Sequence, residues 1–269
     1  MRISVIVSTY NAPQWLEKAL TGFACQSDTD FELLVADDGS GPDTMHLVER
    51  FAESAPFPMR HVRQADDGFR KWRIVNRAIE AATGNYLILT DGDCVPRGEF
   101  VATHRARARP GRFLSGGYCR LPMRTSQAIA PDDIRTGHAF RLRWLAARGV
   151  PPGPQWLKIV ARPLHVDGLF NALSPAKRTF NGNNSSCWRE DALRVGGFDE
   201  RIRYGGGDRE FGYRLAYCGI TPRVIRYSTL CLHLDHARGY KDPAIREQNE
   251  AVIAETRASR RQRTEHGIR

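Results

Sequence analysis

The sequence predicts an α/β protein with an open, mostly parallel sheet flanked by helices. Strand-like and helix-like segments alternate over the first 96 residues, and this alternation is typical of parallel βαβ units. Apolar residues make up 41% of the 269 positions, with 12 Phe, 5 Trp and 8 Tyr, which is enough for a sizeable core. The chain therefore reads as a folded globular protein.

The first two strand and helix pairs follow one another closely. Residues 3–8 are a short β-branched run, which predicts a strand. A helical pattern follows, which Asn11 and Pro13 open and whose apolar positions are Trp15, Leu16, Ala19, Leu20 and Phe23. The segment FELLVADDGS, residues 31–40, predicts the second strand, and residues 43–54 predict the second helix.

Two further strands complete the pattern. The segment MRHVRQ, residues 59–64, predicts a third strand, and RIVNRAIEAAT, residues 73–83, predicts a helix closed by Gly84. The segment YLILTDGD predicts a fourth strand that must end at Pro96. Each connection has the length that a parallel crossover requires.

Polar side chains stand where three of these strands end. In open α/β sheets, ligands bind beyond the carboxyl ends of the strands. One such residue would be explained by a turn or a helix cap, but three groups at one edge predict a binding site. The groups are Ser8, Thr9 and Asn11; Asp37 and Asp38; and Asp91 and Asp93.

The paired carboxylates indicate the kind of ligand. Asp91 and Asp93 are separated by Gly92, an arrangement that suits a hard divalent cation bridging a diphosphate. Cationic residues that could assist a diphosphate lie between these loops, at Arg70, Lys71, Arg73 and Arg77. No P-loop and no dinucleotide-binding glycine motif is present, which argues against those nucleotide-binding classes.

Net charge and cysteine content limit the partners and the cellular environment that we expect for this protein. The net charge of +10 and pI of 9.6 favour polyanionic partners, which include nucleic acid, anionic membrane and phosphate-bearing substrates. The six cysteines show no C-x-x-C pairing, which disfavours structural zinc. No signal sequence or membrane span is evident, so we expect a cytoplasmic protein, with peripheral contact at the inner face of the membrane left open.

Four segments in order, VIVSTYN, LLVADDGS, GFRKWRIVNRAI and GNYLILTDGDCVP, resemble the donor-binding half of family 2 glycosyltransferases, which have the GT-A fold. The segment TDGD occupies the position of that family's metal-binding D-x-D motif. The resemblance implies inverting transfer from a nucleoside diphosphate sugar, with UDP as the commonest carrier and Mn²⁺ or Mg²⁺ as cofactor. It assigns Thr9, Asn11, Asp37, Arg70 or Lys71, and Asp91 to the donor, and Asp93, with Asp91, to the metal.

Residues 180–220 resemble the C-terminal segment of β-galactosyltransferases and chondroitin-polymerase-like enzymes. This match implies that Asp208 is the catalytic base and that the acceptor is bound by Asn181, Asn183, Tyr204 and Glu210. The sequence departs from that family at Gly207, where glutamate is usual, which leaves the acceptor undetermined. The chemistry agrees, because an inverting transfer needs a carboxylate to accept the proton of the attacking hydroxyl. The alternative is that Asp208 only caps the following helix.

The resemblance also points to a histidine that completes the metal site, His233 more than His236. His236, together with Arg238 and Lys241, could instead cover the diphosphate as a closing loop. Neither alternative is decided by the residues alone.

We divide the chain into a donor half at residues 1–110, an acceptor and catalytic half at 111–245, and a basic C-terminal tail at 246–269. Residues 121–178 predict a helical insertion whose basic and aromatic stretches could lie on anionic membrane or only cover the active site.

The predicted activity is inverting transfer of a sugar to a hydroxyl of a glycan or a lipopolysaccharide-type glycolipid. A sugar-phosphate nucleotidyltransferase and a non-enzymatic nucleic-acid-binding protein are the alternatives. We expect no nucleic acid partner, because the basic residues are dispersed along the chain.

Overall fold

The computed structural model of the chain describes residues 1–175, 178–237 and 242–269. Its strands are β1 (Ile3–Thr9), β2 (Phe31–Asp37), β3 (Met59–Arg63), β4 (Tyr86–Asp91), β5 (Cys94–Pro96), β6 (Arg112–Ser115), β7 (Gly117–Arg120), β8 (Ser185–Trp188), β9 (Thr221–Val224) and β10 (Leu230–His233). Its α-helices are α1 (Pro13–Ala24), α2 (Pro42–Ser54), α3 (Lys71–Ala81), α4 (Phe100–Arg107), α5 (Met123–Ala128), α6 (Pro131–Arg135), α7 (Leu142–Ala147), α8 (Trp156–Val160), α9 (Asp167–Leu173), α10 (Arg189–Arg194), α11 (Gly207–Tyr217) and α12 (Pro243–Ser259). A 3₁₀ turn spans His138–Phe140.

The central sheet confirms the predicted α/β architecture. Its strand order is β3-β2-β1-β4-β8-β6-β9, and the first four strands are mutually parallel. Strand β8 runs antiparallel to both β4 and β6. Strands from the second half of the chain therefore extend the sheet that the first half begins.

Alternate residues of the central strands belong to two separate hydrophobic cores. Ile6 and Leu34 belong to a core cluster that includes residues of α3, whereas Val5 and Leu33 belong to a cluster that includes residues of α1 and α2. All seven residues of β1 are buried. Burial on both faces explains why these strands read as continuous apolar runs.

Two details differ from the predicted elements. Helix α3 ends at Ala81, and Gly84 lies beyond it, where its N–H donates to Ser4 Oγ at 2.8 Å. Strand β4 ends at Asp91, so Pro96 does not stop it. Instead, β5 forms a second sheet in the order β5-β10-β7. This small sheet pairs β5, which follows β4, with β10, and β10 with β7, and both of these strands belong to the second half of the chain.

Helices α5 to α9 lie within residues 121–175. They share a third core cluster with strands β5, β7 and β10, which includes Cys119, Leu145, Ile159 and Leu232. Among the residues that the structure describes, no helix is both long enough and apolar enough to cross a membrane.

The description of residues 246–269 as a tail is wrong. They contain most of α12, which packs on α11 and buries Asn249, Ile253 and Thr256. Beyond the helix, the N–H of Thr264 donates to the carbonyl of Val195 at 3.1 Å, and Ile268 is buried. The basic residues on this segment concealed the apolar positions that fasten it to the fold.

Candidate active site

A cavity of about 910 Å³ opens at the carboxyl edge of β1, β2 and β4. Both halves of the chain line it, so the tertiary structure brings together most of the side chains predicted from sequence. Those that line it are Thr9, Asn11, Lys71, Asp91, Asp93, Asn181, Asn183, Tyr204, Asp208 and His233. Asp37, Arg70 and Glu210 do not.

Asp91 stands at the end of β4 and is held in place by two neighbours. Ser8 Oγ donates to Asp91 Oδ1 at 2.8 Å, and Lys71 Nζ lies 2.6 Å from the same oxygen. Burial disfavours the charged lysine, but the carboxylate of Asp91, assisted by Asp208 and Asp93, outweighs it and raises the pKa of Lys71. Lys71 is therefore a permanent cation in the acidic part of the cavity.

Asp93 faces two histidines, one at the end of β10 and one three residues beyond it. His236 Nε2 lies 3.0 Å from Asp93 Oδ2, and His233 Nε2 lies 3.9 Å from the same oxygen. Burial alone would raise the pKa of Asp93, but the hydrogen bond from His236 and the charges of both histidines lower it. The carboxylate is thus kept ionised beside two imidazoles.

The ligand atoms of Asp93, Cys94 and His233 all lie within 4.8 Å of one another, which is close enough to hold one metal ion. Cys94 fits this role poorly, because burial raises the pKa of its thiol well above the ordinary value and Sγ donates to Asp93 Oδ1. His233 fits well, since its Nδ1 lies 2.9 Å from the carbonyl of Leu234 and its Nε2 faces Asp93. Carboxylate oxygens suit Mn²⁺ and Mg²⁺, whereas an imidazole nitrogen favours a transition metal over Mg²⁺.

Asp208 lies in the first turn of α11, but it is not the cap of that helix. The N-cap is Gly206, and the Asp208 carboxylate accepts the N–H of Gly182 at 3.0 Å and that of Arg209 at 2.8 Å. Burial raises the pKa of Asp208, and the two backbone hydrogen bonds and the charge of Lys71 offset this only in part. The alternative interpretation of Asp208 as an N-cap is therefore wrong.

Position 207 is glycine where the similar enzymes usually have glutamate, and this difference has a steric explanation. A Cβ placed on Gly207 would lie 2.4 Å from the indole of Trp72, so a side chain at this position would require Trp72 to move. Trp72 stacks on Phe198 with ring centroids 4.5 Å apart. The space that a glutamate side chain would need at position 207 is filled by an aromatic residue of α3.

The loop before Asp208 is held in place by hydrogen bonds from residues that are distant in sequence. Trp72 Nε1 donates to the carbonyl of Arg203 at 3.3 Å. The buried amide of Asn249 in α12 donates to the carbonyls of Tyr204 at 2.8 Å and Gly205 at 3.1 Å. The last helix of the chain thereby supports the loop that leads into Asp208.

Asp37 does not reach the cavity. It is fully buried, where Oδ2 lies 2.9 Å from His61 Nε2 and Oδ1 accepts the N–H of Ser40 at 2.8 Å. Asp38, the next residue, lines the cavity instead. Side chains of adjacent residues point in different directions where a strand ends, and the sequence pattern did not show which one faces the ligand.

Arg70 and Glu210, which were predicted to contact the donor and the acceptor, likewise do not line the cavity. The Arg70 side chain turns to Asp67, with Nε 3.2 Å from Asp67 Oδ2. Glu210 is fully buried and forms an ion pair with Arg214 at 2.7 Å, while Thr256 Oγ1 donates to it. Glu210 faces the core because it lies two residues beyond Asp208, on a different side of the helix.

Sequence reasoning missed part of the lining. Tyr118 and Arg120, which alternate along β7 with buried Cys119, line the cavity together with Trp72. The alternating pattern of β7 was the available signal. His236 was considered for a closing loop and lines the cavity, whereas Arg238 and Lys241 lie outside the described residues.

Comparison with known proteins agrees with this geometry. The sequence model of Glycosyl transferase family 2 matches residues 4–141, about half of the chain. An uncharacterized glycosyltransferase of Bacillus subtilis strain 168, YfnE, is 28% identical over 267 residues, which cover 90% of this chain and 67% of that protein. A chondroitin synthase of Escherichia coli is 26% identical over 227 residues, 79% of this chain and 32% of that protein.

Solved structures show the same fold. The mannosyltransferase PcManGT from Pyrobaculum calidifontis, in complex with GDP-Man and Mn²⁺, superposes with a TM-score of 0.61 at 23% identity and covers 96% of this chain and 64% of its own. S. aureus TarS in complex with UDP-GlcNAc gives a TM-score of 0.57 at 16% identity, with coverage of 94% and 66%. The chain thus spans a third to two thirds of these relatives. The resemblance drawn from the sequence is confirmed, and the chain belongs to glycosyl transferase family 2.

Proposed function

We propose that this glycosyltransferase moves a sugar, with inversion, from a nucleoside diphosphate sugar to a hydroxyl of a glycan or lipopolysaccharide-type acceptor, using Mn²⁺ or Mg²⁺. UDP is the carrier we would test first. The observation that carries the proposal is the convergence of three carboxylates, Asp91, Asp93 and Asp208, on one cavity that also contains Lys71. Relatives in complex with GDP-Man and Mn²⁺, or with UDP-GlcNAc, support this assignment.

Asp93 and His233 are the side chains that would hold the cation, with Asp91 and His236 beside them. A divalent cation bound there would neutralise the negative charge of the departing diphosphate. Lys71 adds a fixed positive charge in the same region, and Ser8 keeps Asp91 oriented. These residues need no rearrangement to present oxygen and nitrogen ligands toward the cavity.

Asp208 is suited to act as the general base. Its raised pKa increases the affinity of the carboxylate for a proton, which favours proton transfer from the acceptor hydroxyl. The hydrogen bonds from Gly182 and Arg209 fix its orientation. Removal of that proton as the hydroxyl attacks the anomeric carbon gives inversion in one displacement, without a covalent sugar on the enzyme.

Two unpaired polar atoms indicate where each substrate would bind. Within the described residues, Thr9 Oγ1 and Asn183 Oδ1 are buried without a hydrogen-bond partner, and both residues line the cavity. A ligand could satisfy such atoms at little cost. We assign Thr9, Asn11 and Asp38 to the base and ribose of the donor, in residues 1–110. Asn181, Asn183 and Tyr204 are assigned to the acceptor, in residues 111–245.

A panel of nucleoside diphosphate sugars, with and without Mn²⁺, tests this function. A donor that binds the native state should raise the melting temperature, and more so with the metal present. Turnover should release a nucleoside diphosphate. Release of pyrophosphate would instead establish a nucleotidyltransferase, and salt-sensitive nucleic acid binding without affinity for any sugar nucleotide would contradict an enzymatic role.

We also propose that the protein is cytoplasmic and touches the inner face of an anionic membrane through residues 156–173, which contain α8 and α9. Leu164, Leu169 and Leu173 are 65%, 60% and 70% exposed. Arg107 contacts Asp167, the first residue of α9, at 2.9 Å. Burial and the neighbouring cations Arg107, Arg112 and Arg109 lower the pKa of Arg223, which shows that arginines cluster there. Exposed leucines beside clustered arginines suit an anionic lipid surface.

Vesicle sedimentation tests the membrane contact. Vesicles that contain phosphatidylglycerol should bind the protein at low salt, release it as salt increases, and bind a Leu169→Ser/Leu173→Ser variant less. Equal sedimentation with neutral and anionic vesicles would contradict the contact.

A further inference from the structure

A second cavity of about 310 Å³ adjoins the candidate active site. Its walls come from three parts of the fold: strand β7, helix α8 and the loop between β9 and β10. The residues that line it are Gly117, Tyr118, Arg120, Gln155, Lys158 and Arg226. Tyr118 and Arg120 line both cavities, so the two spaces meet at these side chains.

The charge of this second cavity is one-sided. Of the described residues that line it, Arg120, Lys158 and Arg226 are cationic and none is acidic. Within the described part of the chain, none of the three has a carboxylate oxygen within 4.0 Å, unlike Lys71 in the neighbouring cavity. Like charges that share a small space repel one another, and a bound anion would relieve this repulsion.

Two of the cations are partly withdrawn from water. Arg226 Nε is buried without a hydrogen-bond partner in the described residues. Burial, followed by the nearby charge of Arg226, lowers the pKa of Lys158. A buried, unpaired guanidinium N–H is costly to leave unsatisfied, and an anionic oxygen is the acceptor that best compensates it.

The cavity is also built rigidly. Lys158 Nζ donates to the carbonyl of Tyr118 at 2.9 Å, and it lies 5.4 Å from the centre of the Tyr118 ring. The Arg120 guanidinium lies 5.5 Å from the centre of the same ring, so two cations approach Tyr118. A Cβ on Gly117 would lie 2.3 Å from the carbonyl oxygen of Arg226, so only glycine lets these two segments approach.

We propose that this cavity is an acceptor subsite that binds an anionic group, a carboxylate, phosphate or sulfate, carried by the acceptor. The proposal rests on the proposed function, whose acceptor it narrows to an acidic glycan or glycolipid. Tyr118 connects the subsite to the transfer centre, since its ring lies 5.8 Å from that of His233. The donor diphosphate belongs on the other side, beside Asp91, Asp93 and Lys71.

Small sugar probes at constant ionic strength test the subsite by calorimetry. Methyl β-D-glucuronide and glucose 6-phosphate should bind the wild-type protein, and methyl β-D-glucoside should bind about tenfold or more weakly, because a charge-assisted hydrogen bond is worth at least that factor. The two anionic probes separate a carboxylate from a phosphate preference. Lys158→Gln and Arg226→Gln should each weaken the anionic probes by about tenfold and leave the neutral one unchanged.

Matched variants control for charge and folding. Arg143→Gln removes one exposed cation from α7, away from the cavity lining, and should bind all probes like the wild type. Lys158→Arg keeps the charge and should retain affinity. Melting temperatures of all variants identify any that fail to fold, and Arg226→Gln then stands in for Lys158→Gln or the reverse.

The affinity for UDP with Mn²⁺, measured on the same variants, distinguishes the two proposals. Unchanged UDP affinity with lost probe affinity supports an acceptor subsite. Equal loss of both would place the cavity in the donor site and overturn the inference, as would equal binding of neutral and anionic probes. If the wild-type protein binds no sugar nucleotide, the proposed function fails while the anion measurement still stands.

Discussion

The candidate active site has two walls that are built differently. One, the strand-end wall, consists of Ser8, Thr9, Asp38 and Asp91, which end or follow the parallel strands β1, β2 and β4. The other, the loop wall, consists of residues 181–183 and 204–208. The strand-end wall is fixed by sheet register, since Thr9 pairs with Asp37 and Ser8 with Asp91. The loop wall is fixed by side chains far away in sequence.

The position of the strand-end wall is set by pairing between neighbouring strands, whereas the position of the loop wall is set by contacts with residues distant in sequence. Hydrogen bonds between neighbouring strands set the positions of the strand ends, so a change far from the sheet should barely move them. The loop wall instead contains Gly205 and Gly206 at φ of 91° and 89°, and its support comes from Trp72 and Asn249. Changes outside the cavity should therefore affect the loop wall more than the strand-end wall. The following variants test this comparison.

Asp93→Ala should have the largest effect, because Asp93 adjoins the strand-end wall and faces both histidines. We expect no measurable turnover and loss of the Mn²⁺-dependent melting shift with UDP, since the cation loses a direct oxygen ligand. Initial rates and melting curves check this. Wild-type turnover by the variant, or undiminished turnover of the native enzyme in excess EDTA, would contradict a metal role.

Asp208→Asn tests the chemistry of the loop wall. Asparagine is similar in size and accepts hydrogen bonds but cannot take a proton, so turnover should fall by about 100-fold or more. UDP and Mn²⁺ affinity should stay near wild type. Glu210→Gln is the matched control, since that carboxylate is buried on Arg214 and its loss should lower stability more than rate. A stable Asp208→Asn protein with wild-type turnover removes Asp208 from the mechanism.

Asn249→Ala tests whether α12 positions the loop wall. The change removes the side-chain donor of Asn249 to the carbonyls of Tyr204 and Gly205, which should cost about 1–3 kcal/mol in the free energy of unfolding. Turnover should fall by about tenfold while UDP affinity is retained, since a small misplacement of a catalytic group slows the reaction strongly. Gln248→Ala, an exposed neighbour on the same helix, is the control. Equal loss of UDP affinity and turnover would mean that the two walls are not independent.

The smallest effect on turnover concerns fully buried His104, which contacts Ser186 Oγ at 2.7 Å and Asn184 Oδ1 at 2.9 Å. Burial lowers the pKa of His104 from 6.5 to about 4. Between these values the unfolded chain binds a proton that the folded chain does not, so stability falls as pH falls from 6.5 to 4. The contribution reaches roughly 3 kcal/mol.

Denaturant titrations at several pH values measure this contribution. His104→Gln should make the free energy of unfolding less dependent on pH in that window while leaving the rate at neutral pH close to wild type. Parallel pH profiles of the wild type and the variant would show that His104 does not account for the slope.

The sequence alone determined the α/β architecture and the strand-end wall. Burial on both faces makes β1, β2 and β4 readable as apolar runs, and polar residues at their ends must meet because parallel strands share an edge. Thr9, Asn11, Asp91 and Asp93 were therefore predictable. Asp208 and His233 came from resemblance to known enzymes, because nothing local predicts where a loop folds.

Only the tertiary structure decided the rest. It showed that Asp38 rather than Asp37 faces the cavity, that Glu210 is buried against Arg214, and that the basic C-terminal segment is a docked helix. It also placed Lys158 and Arg226, which are far apart in sequence, in one cavity beside the acidic site. The physical reason is that periodicity and strand ends are local properties of the chain, whereas the direction of a side chain at a strand end and the meeting of loops depend on packing between distant residues.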